Sequence, residues 1–403
     1  MEYLIPIFLC LLFSVKYDRR EGTCILGEYS KSKRKFMFIF AWLVLISALQ
    51  YRVGYDIPIY MDAYDASRHN SFSDIWGDVR YRPGWNFLLV LCHKISDNFV
   101  VLKIIQAFFL NYCVYKFLSR YSKYWYLTLF FYILYPYGQL NFGAMRQAFA
   151  VGFFLLSIPY LEEKNTKKEN IIALLKYFGL VYFATLFHTS AFILYLLPVF
   201  RFFVATKKRM IFTTLIVIAF SIVLSHLSNL NMLLYSFLAS FDILEQSSRY
   251  YLTGGDYEVS RSGFAFIRAF IPITFIYICL YLNRNNLNAK YKVLQMLLFA
   301  YIIMATLNLS IPIFYRFNGF FVFSYIVLIP MAIYEGNLFD KSLKAVRSSS
   351  LRVLLFLIFI LYPVNHLISV HPSWGVPGYK IYYPYYSVFN PQIDPDRNRI
   401  IDY

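Results

Sequence analysis

The sequence predicts an all-α membrane protein that crosses the bilayer about twelve times. Three observations predict it. Of the 403 residues, 59% are hydrophobic and only 15% are charged; the mean hydropathy is +0.51; and short lysine-rich loops separate the apolar runs. A soluble domain cannot bury that much apolar surface, and the runs approach the roughly 20 residues of a spanning helix. We therefore expect a single transmembrane domain over residues 1–403.

The positive-inside rule orders the spans, because lysine-rich loops stay in the cytoplasm. The basic loops at 16–35, 162–170 and 207–209 are therefore expected inside, and both ends of the chain outside. The expected spans are 2–15, 36–50, 99–118, 124–138, 147–161, 171–187, 191–203, 210–227, 263–282, 293–311, 314–334 and 353–369. They leave two external loops, 51–98 and 228–262, and an external tail, 370–403. The apolar piece 85–95 is too short to cross, so it is expected to lie at the interface or to re-enter.

Arginine and lysine are divided unequally between the two faces of this topology. Residues 36–93 contain arginine but no lysine, and the same holds for residues 228–282. Topology alone would deplete both residue types outside. Arginine that is retained in external segments without lysine indicates a ligand that accepts two parallel hydrogen bonds, such as phosphate. The candidate pyrophosphate-binding residues are Arg52, Arg80, Arg82, Arg146, Arg249, Arg261, Arg268 and Arg316.

An alternative interpretation is that loop arginines pair with loop carboxylates. Arg68, Arg249 and Arg261 lie in loops that also contain acidic residues, and such surface ion pairs are common. Arg146 and Arg316 lie beside spans without a local acid, which favours ligand binding, and the same holds for Arg268 within a span. The net charge of +17 does not indicate nucleic acid here, because the lysines fall in short loops that face lipid head groups.

An arginine-lined pocket at an outer membrane boundary suits a lipid-linked phosphate or pyrophosphate. The sequence contains no Gly-rich nucleotide loop and no acidic pair that demands a metal, so no metal and no cofactor are expected. Transfer from such a donor needs a base to activate an acceptor hydroxyl. His188 is the first candidate, because it shares the predicted face of Arg146 and its ordinary pKa is near neutral. Asp56, which follows the second span, is the rival.

Several segments resemble the EpsG family, a branch of the Wzy-type polysaccharide polymerases. They are YRVGYDIPIY, RPGWNFLLVL, MRQAFAVGFFLLSIPYLEEK and LFHTSAFILYLLPVF, with looser matches at IFYRFNGFF and YPYYSVF. The resemblance spans nearly the whole chain and implies a fold similar to GT-C glycosyltransferases. By position, the family's motifs fall on Arg52, Gly54 and Asp56, on Arg146 and Gln147, and on His188 and Ser190. One departure is Arg82, which stands where an acidic residue is more usual, so no catalytic acid is expected there.

The resemblance implies a glycosyltransferase of the bacterial cytoplasmic membrane. It would join undecaprenyl-pyrophosphate-linked repeat units of an O-antigen, capsule or exopolysaccharide at the outer face. Gln147 and Tyr315 are expected to support the neighbouring arginines, and a chain-length regulator is a candidate partner beside the lipid bilayer. Two alternatives stay open: a transporter or flippase for a lipid-linked glycan, and a GT-C enzyme that uses a polyprenyl-phosphate sugar. Charges gathered at one face favour an enzyme over a transporter.

Overall fold

The structure, a computed structural model, describes residues 2–18, 26–77, 81–200, 263–284, 288–309, 311, 314–335, 349–370 and 375–391, with a few positions between 212 and 223. Every regular element in these ranges is helical. The α-helices are α1 (Leu4–Tyr17), α2 (Leu26–Ala48), α3 (Ile57–Ala66), α4 (Pro83–His93), α5 (Val100–Tyr121), α6 (Trp125–Tyr132), α7 (Met145–Ser157), α8 (Lys167–Thr185), α9 (Gly263–Leu282), α10 (Ala289–Leu307), α11 (Tyr315–Glu335) and α12 (Ser349–Ile368). Short 3₁₀ turns lie at Ser67–His69, Phe72–Trp76, Ile158–Leu161 and Gly378–Ile381.

Four of these helices are long and apolar enough to cross a membrane, namely α5, α10, α11 and residues 350–368 of α12. Shorter apolar helices include α1 and the second half of α9. This architecture agrees with a polytopic membrane protein. The count of twelve spans stays a prediction, because the expected span 210–227 lies largely, and the expected loop 228–262 wholly, outside the described residues.

Some predicted spans differ from the helices that form. The span expected over 124–138 does not end there: α6 continues as two π-helical segments, Ile133–Tyr137 and Gln139–Gly143. Pro136 lies in the first of them, and a proline lacks the N–H that a regular α-helical turn requires, so a wider turn is favoured locally. The span expected over 191–203 is a 3₁₀ helix, Thr189–Phe200. The second span begins earlier than predicted, at Leu26.

Helix α11 lies at the centre of the bundle and α12 at its edge. In the most apolar window of each helix, 83% of the residues of α11 are buried but only 17% of those of α12. Helix α11 packs against α6, α9, α10 and α12, while α5 and α7 pack along each other and α7 along α8. One end of this bundle is tied by ion pairs, in which Arg120 binds Glu162 and Lys123 binds Glu335. The opposite end of α5, α7 and α11 carries the candidate site described below.

The first predicted external loop folds into a small helical unit on that opposite end. Helices α3 and α4 enclose Trp85, whose side chain is fully buried and whose ring centroid lies 5.2 Å from that of Tyr60 and 6.4 Å from that of Phe149. Burying an aromatic side chain of this size stabilises the fold by about 3 kcal/mol. The short apolar piece 85–95 thus falls largely within α4 and packs against protein, with Leu88 and Leu89 among its buried residues.

The C-terminal segment binds the chain just before α3. The N–H of Tyr51 donates to the carbonyl of Tyr386 at 2.9 Å, and the N–H of Val388 donates to that of Leu49, also at 2.9 Å. Three residues after Tyr51, Gly54 has φ +101°, and a Cβ added there would lie 1.6 Å from the carbonyl oxygen of Phe142. Only glycine can therefore join α2 to α3 along this path.

Gly54→Ala is expected to lower the thermal unfolding temperature of the purified protein, because both the positive φ and the overlap with Phe142 penalise a Cβ. The cost should be about 2 kcal/mol or more. The matched control is Gly179→Ala in α8, where a Cβ meets nothing within 4 Å and should be neutral or stabilise by about 0.5–1 kcal/mol. Equal unfolding temperatures for the two variants would contradict the packing described for Gly54.

Candidate functional site

Asp56 occupies the N-cap position of α3, yet its carboxylate does not cap the helix. Aspartate is a preferred N-cap residue because its side chain usually accepts a backbone N–H of the first turn. Here Pro58 lies in that first turn and the Asp56 side chain makes no capping bond. The carboxylate is half-buried and lies close enough to Arg146 and Arg316 to interact with both. It is therefore directed to a charged cluster and not to its own helix.

Arg146 enters the same cluster from the first turn of α7. The π-helical segment ends at Ala144, and the chain turns there into α7. The guanidinium is hydrogen-bonded to Tyr60 and lies 4.9 Å from the ring centroid of Tyr81 and 5.8 Å from that of Tyr60. Its Nε is buried without a hydrogen-bond partner. Since a buried donor without an acceptor is costly, this atom has unused capacity for an anionic ligand.

Arg316 lies in the first turn of α11, and the residue beside Arg146 holds it there. The side-chain amide of Gln147 donates to the backbone carbonyl of Arg316 at 2.7 Å. Next to Arg316, the hydroxyl of Tyr315 accepts a hydrogen bond from the Gln139 amide at 2.9 Å. Arg146 and Gln147 are adjacent but have different roles: Arg146 lines the cluster, and Gln147 joins α7 to α11.

His188 follows α8 and bonds to Ser190. Its Nδ1 lies 2.6 Å from the Ser190 hydroxyl and accepts the Ser190 backbone N–H at 3.2 Å. Because a backbone N–H can only donate, the neutral ring carries its proton on Nε2. The RPGW segment fixes the end of α8: Arg82 Nε donates to the carbonyl of Thr185 at 3.0 Å, and the N–H of Gly84 donates to that of Leu186 at 2.8 Å.

Burial and the two arginines set the protonation of these groups. Burial raises the pKa of the Asp56 carboxyl above its usual range, although Arg146 and Arg316 oppose that rise. Burial also lowers the pKa of His188 well below 6.5, and the positive charges of Arg316 and Arg146 lower it further. The His188 ring is therefore neutral at neutral pH, and the cluster contains two fixed positive charges beside one acidic group.

Three helix N-termini meet at this cluster. Asp56 is the N-cap of α3, Arg146 lies in the first turn of α7, and Arg316 lies in the first turn of α11. Each helix N-terminus carries a partial positive charge. Combined with the two guanidinium groups, these ends create a strongly electropositive site, which suits an anion.

The other predicted site residues fall elsewhere or outside the described residues. Arg52 is half-buried with φ +50°, and none of its described contacts joins it to Arg146 or Arg316. Arg68 pairs with Asp97 on the surface, as the alternative interpretation expects. The described part of the structure does not include Arg80, Arg249, Arg261 or the side chain of Arg268. Within the described part of the chain, no group of three His, Cys, Asp or Glu side chains could hold a metal ion.

Sequence reasoning missed the tyrosines that surround the charged cluster. Tyr55, Tyr60 and Tyr81 all approach Asp56 or Arg146. For Tyr60 a signal existed, because it lies four residues after Asp56 and the two share one face of α3. The tail residue Tyr382 also lies near Asp56.

The model of the EpsG family matches residues 33–387, which is most of the chain. The chain belongs to the EpsG family. Members of this family are Wzy-type polymerases, so the chain is a membrane protein of the polysaccharide-polymerase type. No curated protein and no solved structure matches the chain. All the residues of the charged cluster lie within the part that the EpsG model covers.

The pKa of His188 predicts how the stability of this EpsG protein depends on pH. Above about pH 6.5 the ring is neutral in both the folded and the unfolded chain and contributes nothing. Below that pH the unfolded chain binds a proton that the folded chain excludes, so stability falls by up to about 1.4 kcal/mol per pH unit. His188→Gln should remove this part of the loss, measured as the change in unfolding temperature between pH 7.5 and 5.5. The same change in both proteins would show that His188 is not held neutral.

Proposed function

We propose that the chain is a glycosyltransferase that polymerises repeat units carried on undecaprenyl pyrophosphate at the outer face of the bacterial cytoplasmic membrane. One observation supports this above all: Arg146 and Arg316 meet at three helix N-termini beside a single acidic group, Asp56. A lipid-linked pyrophosphate carries two negative charges, which match the two guanidinium groups. Membership of the EpsG family supports the same class of reaction.

In this proposal the pyrophosphate of the growing chain binds between Arg146 and Arg316. A phosphate oxygen would supply the acceptor for the buried Nε of Arg146. Planar guanidinium groups bind phosphate oxygens through paired hydrogen bonds, so they orient the donor as well as attract it. As the bond to the anomeric carbon breaks, negative charge grows on the departing pyrophosphate, and both arginines stabilise it.

We assign the base to Asp56 and not to His188. His188 Nδ1 already accepts a backbone N–H, so its Nε2 carries a proton and can only donate. A second proton would create a third positive charge beside Arg146 and Arg316. Asp56 has a raised pKa, and a bound pyrophosphate raises it further, which brings it closer to the value of an effective base at neutral pH.

In the proposed reaction one glycosidic bond forms as the bond between sugar and pyrophosphate breaks. The acceptor-sugar hydroxyl attacks the anomeric carbon at the reducing end of the growing chain and loses its proton to Asp56. The bond between that carbon and the pyrophosphate oxygen breaks, and its electron pair leaves with undecaprenyl pyrophosphate. His188 donates Nε2–H to an oxygen of the bound substrate and stays neutral throughout.

Purified protein in lipid vesicles should extend a lipid-linked repeat unit into a ladder of longer glycans, detected by gel electrophoresis. Arg146→Ala should lower the rate at least about 10²-fold, because it removes a charge that stabilises the leaving group. The matched control is Arg68→Ala, which removes a surface arginine paired with Asp97 and should change the rate by no more than a few-fold. Transfer from a single-sugar polyprenyl phosphate, or a full ladder from Arg146→Ala, would contradict the proposal.

Asp56→Asn should lower the maximal rate by about 10²–10⁴-fold while the protein still binds donor, because the amide cannot accept the proton. His188→Gln should lose much less, since glutamine still offers an N–H donor. The two variants are compared by the maximal rate and by retention of radiolabelled donor on the protein. A larger loss of rate in His188→Gln than in Asp56→Asn would return the role of base to His188.

A further inference from the structure

Lys103 is a lysine buried inside the bundle, in the first turn of α5. Its side chain is 1% exposed, and its Nζ donates to the carbonyl of Asn141 at 2.6 Å and to Gln106 Oε1 at 2.7 Å. Neither acceptor is a carboxylate. A lysine buried at such depth is costly, and its amino group must be hydrogen-bonded to be tolerated there.

The hydrogen bonds of this lysine belong to a network that fixes the end of the π-helical segment Gln139–Gly143. Gln106 Nε2 donates to the carbonyl of Leu140 at 3.0 Å, and Asn111 Nδ2 donates to Asn141 Oδ1 at 2.8 Å. The last carbonyls of a helix have no partner within it, and a positive charge beside them is favourable. Helix α5 thus supplies the hydrogen-bond donors that this helix end requires.

The same π-helical segment supports the two sides of the candidate site. The Phe142 carbonyl packs directly against Gly54, two residues before Asp56. A Cβ on Gly143 would lie 3.3 Å from the ring of Tyr55, so the segment also contacts the residue adjacent to Asp56. On its other side the segment turns at Ala144 into the first turn of α7, which carries Arg146.

We propose that Lys103 is a positioning residue for the charged cluster. By binding the end of the π-helical segment it fixes the distance between Asp56 and Arg146, although it contacts neither of them in the described hydrogen bonds. The structural part of this inference is independent of the proposed function. Its effect on turnover rests on the proposed function.

The first test needs no enzymatic activity. It measures local opening of the backbone by amide hydrogen exchange of the full chain in lipid nanodiscs. Lys103→Met keeps the length of the side chain and removes the amino group with its donors. Exchange should rise about tenfold or more in residues 49–56 and 139–146, because the hydrogen bonds that hold the π-helical segment are lost. Lys103→Gln keeps a donor and should give a smaller rise in the same residues.

The matched control is Gln295→Met in α10. Gln295 is likewise buried and donates to the carbonyl of Asn283, just past the end of α9, at 2.6 Å. This variant should leave exchange in 49–56 and 139–146 unchanged. If Lys103→Met changes neither segment, or raises exchange equally along the whole chain, Lys103 contributes at most general stability and the inference is overturned.

The second test asks whether Lys103 acts through Asp56, by measuring the maximal polymerisation rate in a double-mutant cycle. Lys103→Met should lower the rate about 10–100-fold in the wild-type background but only about twofold in the Asp56→Asn background. Equal losses in both backgrounds would overturn the positioning role. If the wild-type protein forms no polymer, the proposed function fails, while the exchange experiment still decides the structural inference.

Discussion

The organisation of the bundle end that carries Asp56 depends on keeping the guanidinium groups of Arg146 and Arg316 close together in a partly buried place. Two like charges in such a place repel each other more strongly than they would in water. One acidic group, Asp56, offsets part of this repulsion. Hydrogen bonds hold the two arginines in place against the repulsion that remains. Gln147 binds the backbone of Arg316, and Tyr60 binds Arg146. The charge of this cluster therefore suits a negatively charged ligand.

Much of this arrangement could be predicted from the sequence, because topology acts over long distances in a membrane protein. Placing Arg146 at the start of one span and His188 at the end of the next needs only the lysine-rich link between them. The distribution of arginine pointed to Arg316, and the position of Asp56 just after the second span made it the rival base. The structure brings these four residues together, while their chemical roles stay proposals.

Other features gave no usable signal in the sequence. Aromatic residues make up 21% of the chain, so the tyrosines at the site could not be separated from those that face lipid or fill the core. The hydrogen bond from the Ser190 N–H to His188 depends on the local turn, and it alters the expected chemistry of the ring. Adjacent residues on a helix point about 100° apart, which is why Arg146 and Gln147 face different neighbours. The burial of Lys103 likewise could not be predicted from its place in the sequence.

The C-terminal segment has a consequence for biogenesis. Residues near position 50 leave the ribosome early, but their backbone partners Tyr386 and Val388 are synthesised more than 300 residues later. The first helices can therefore insert and pack while the chain beside Asp56 still lacks its closing contacts. A nascent or prematurely terminated polypeptide would reach the membrane with the surroundings of Asp56 incomplete. The charged cluster therefore becomes complete only when synthesis of the chain is almost finished.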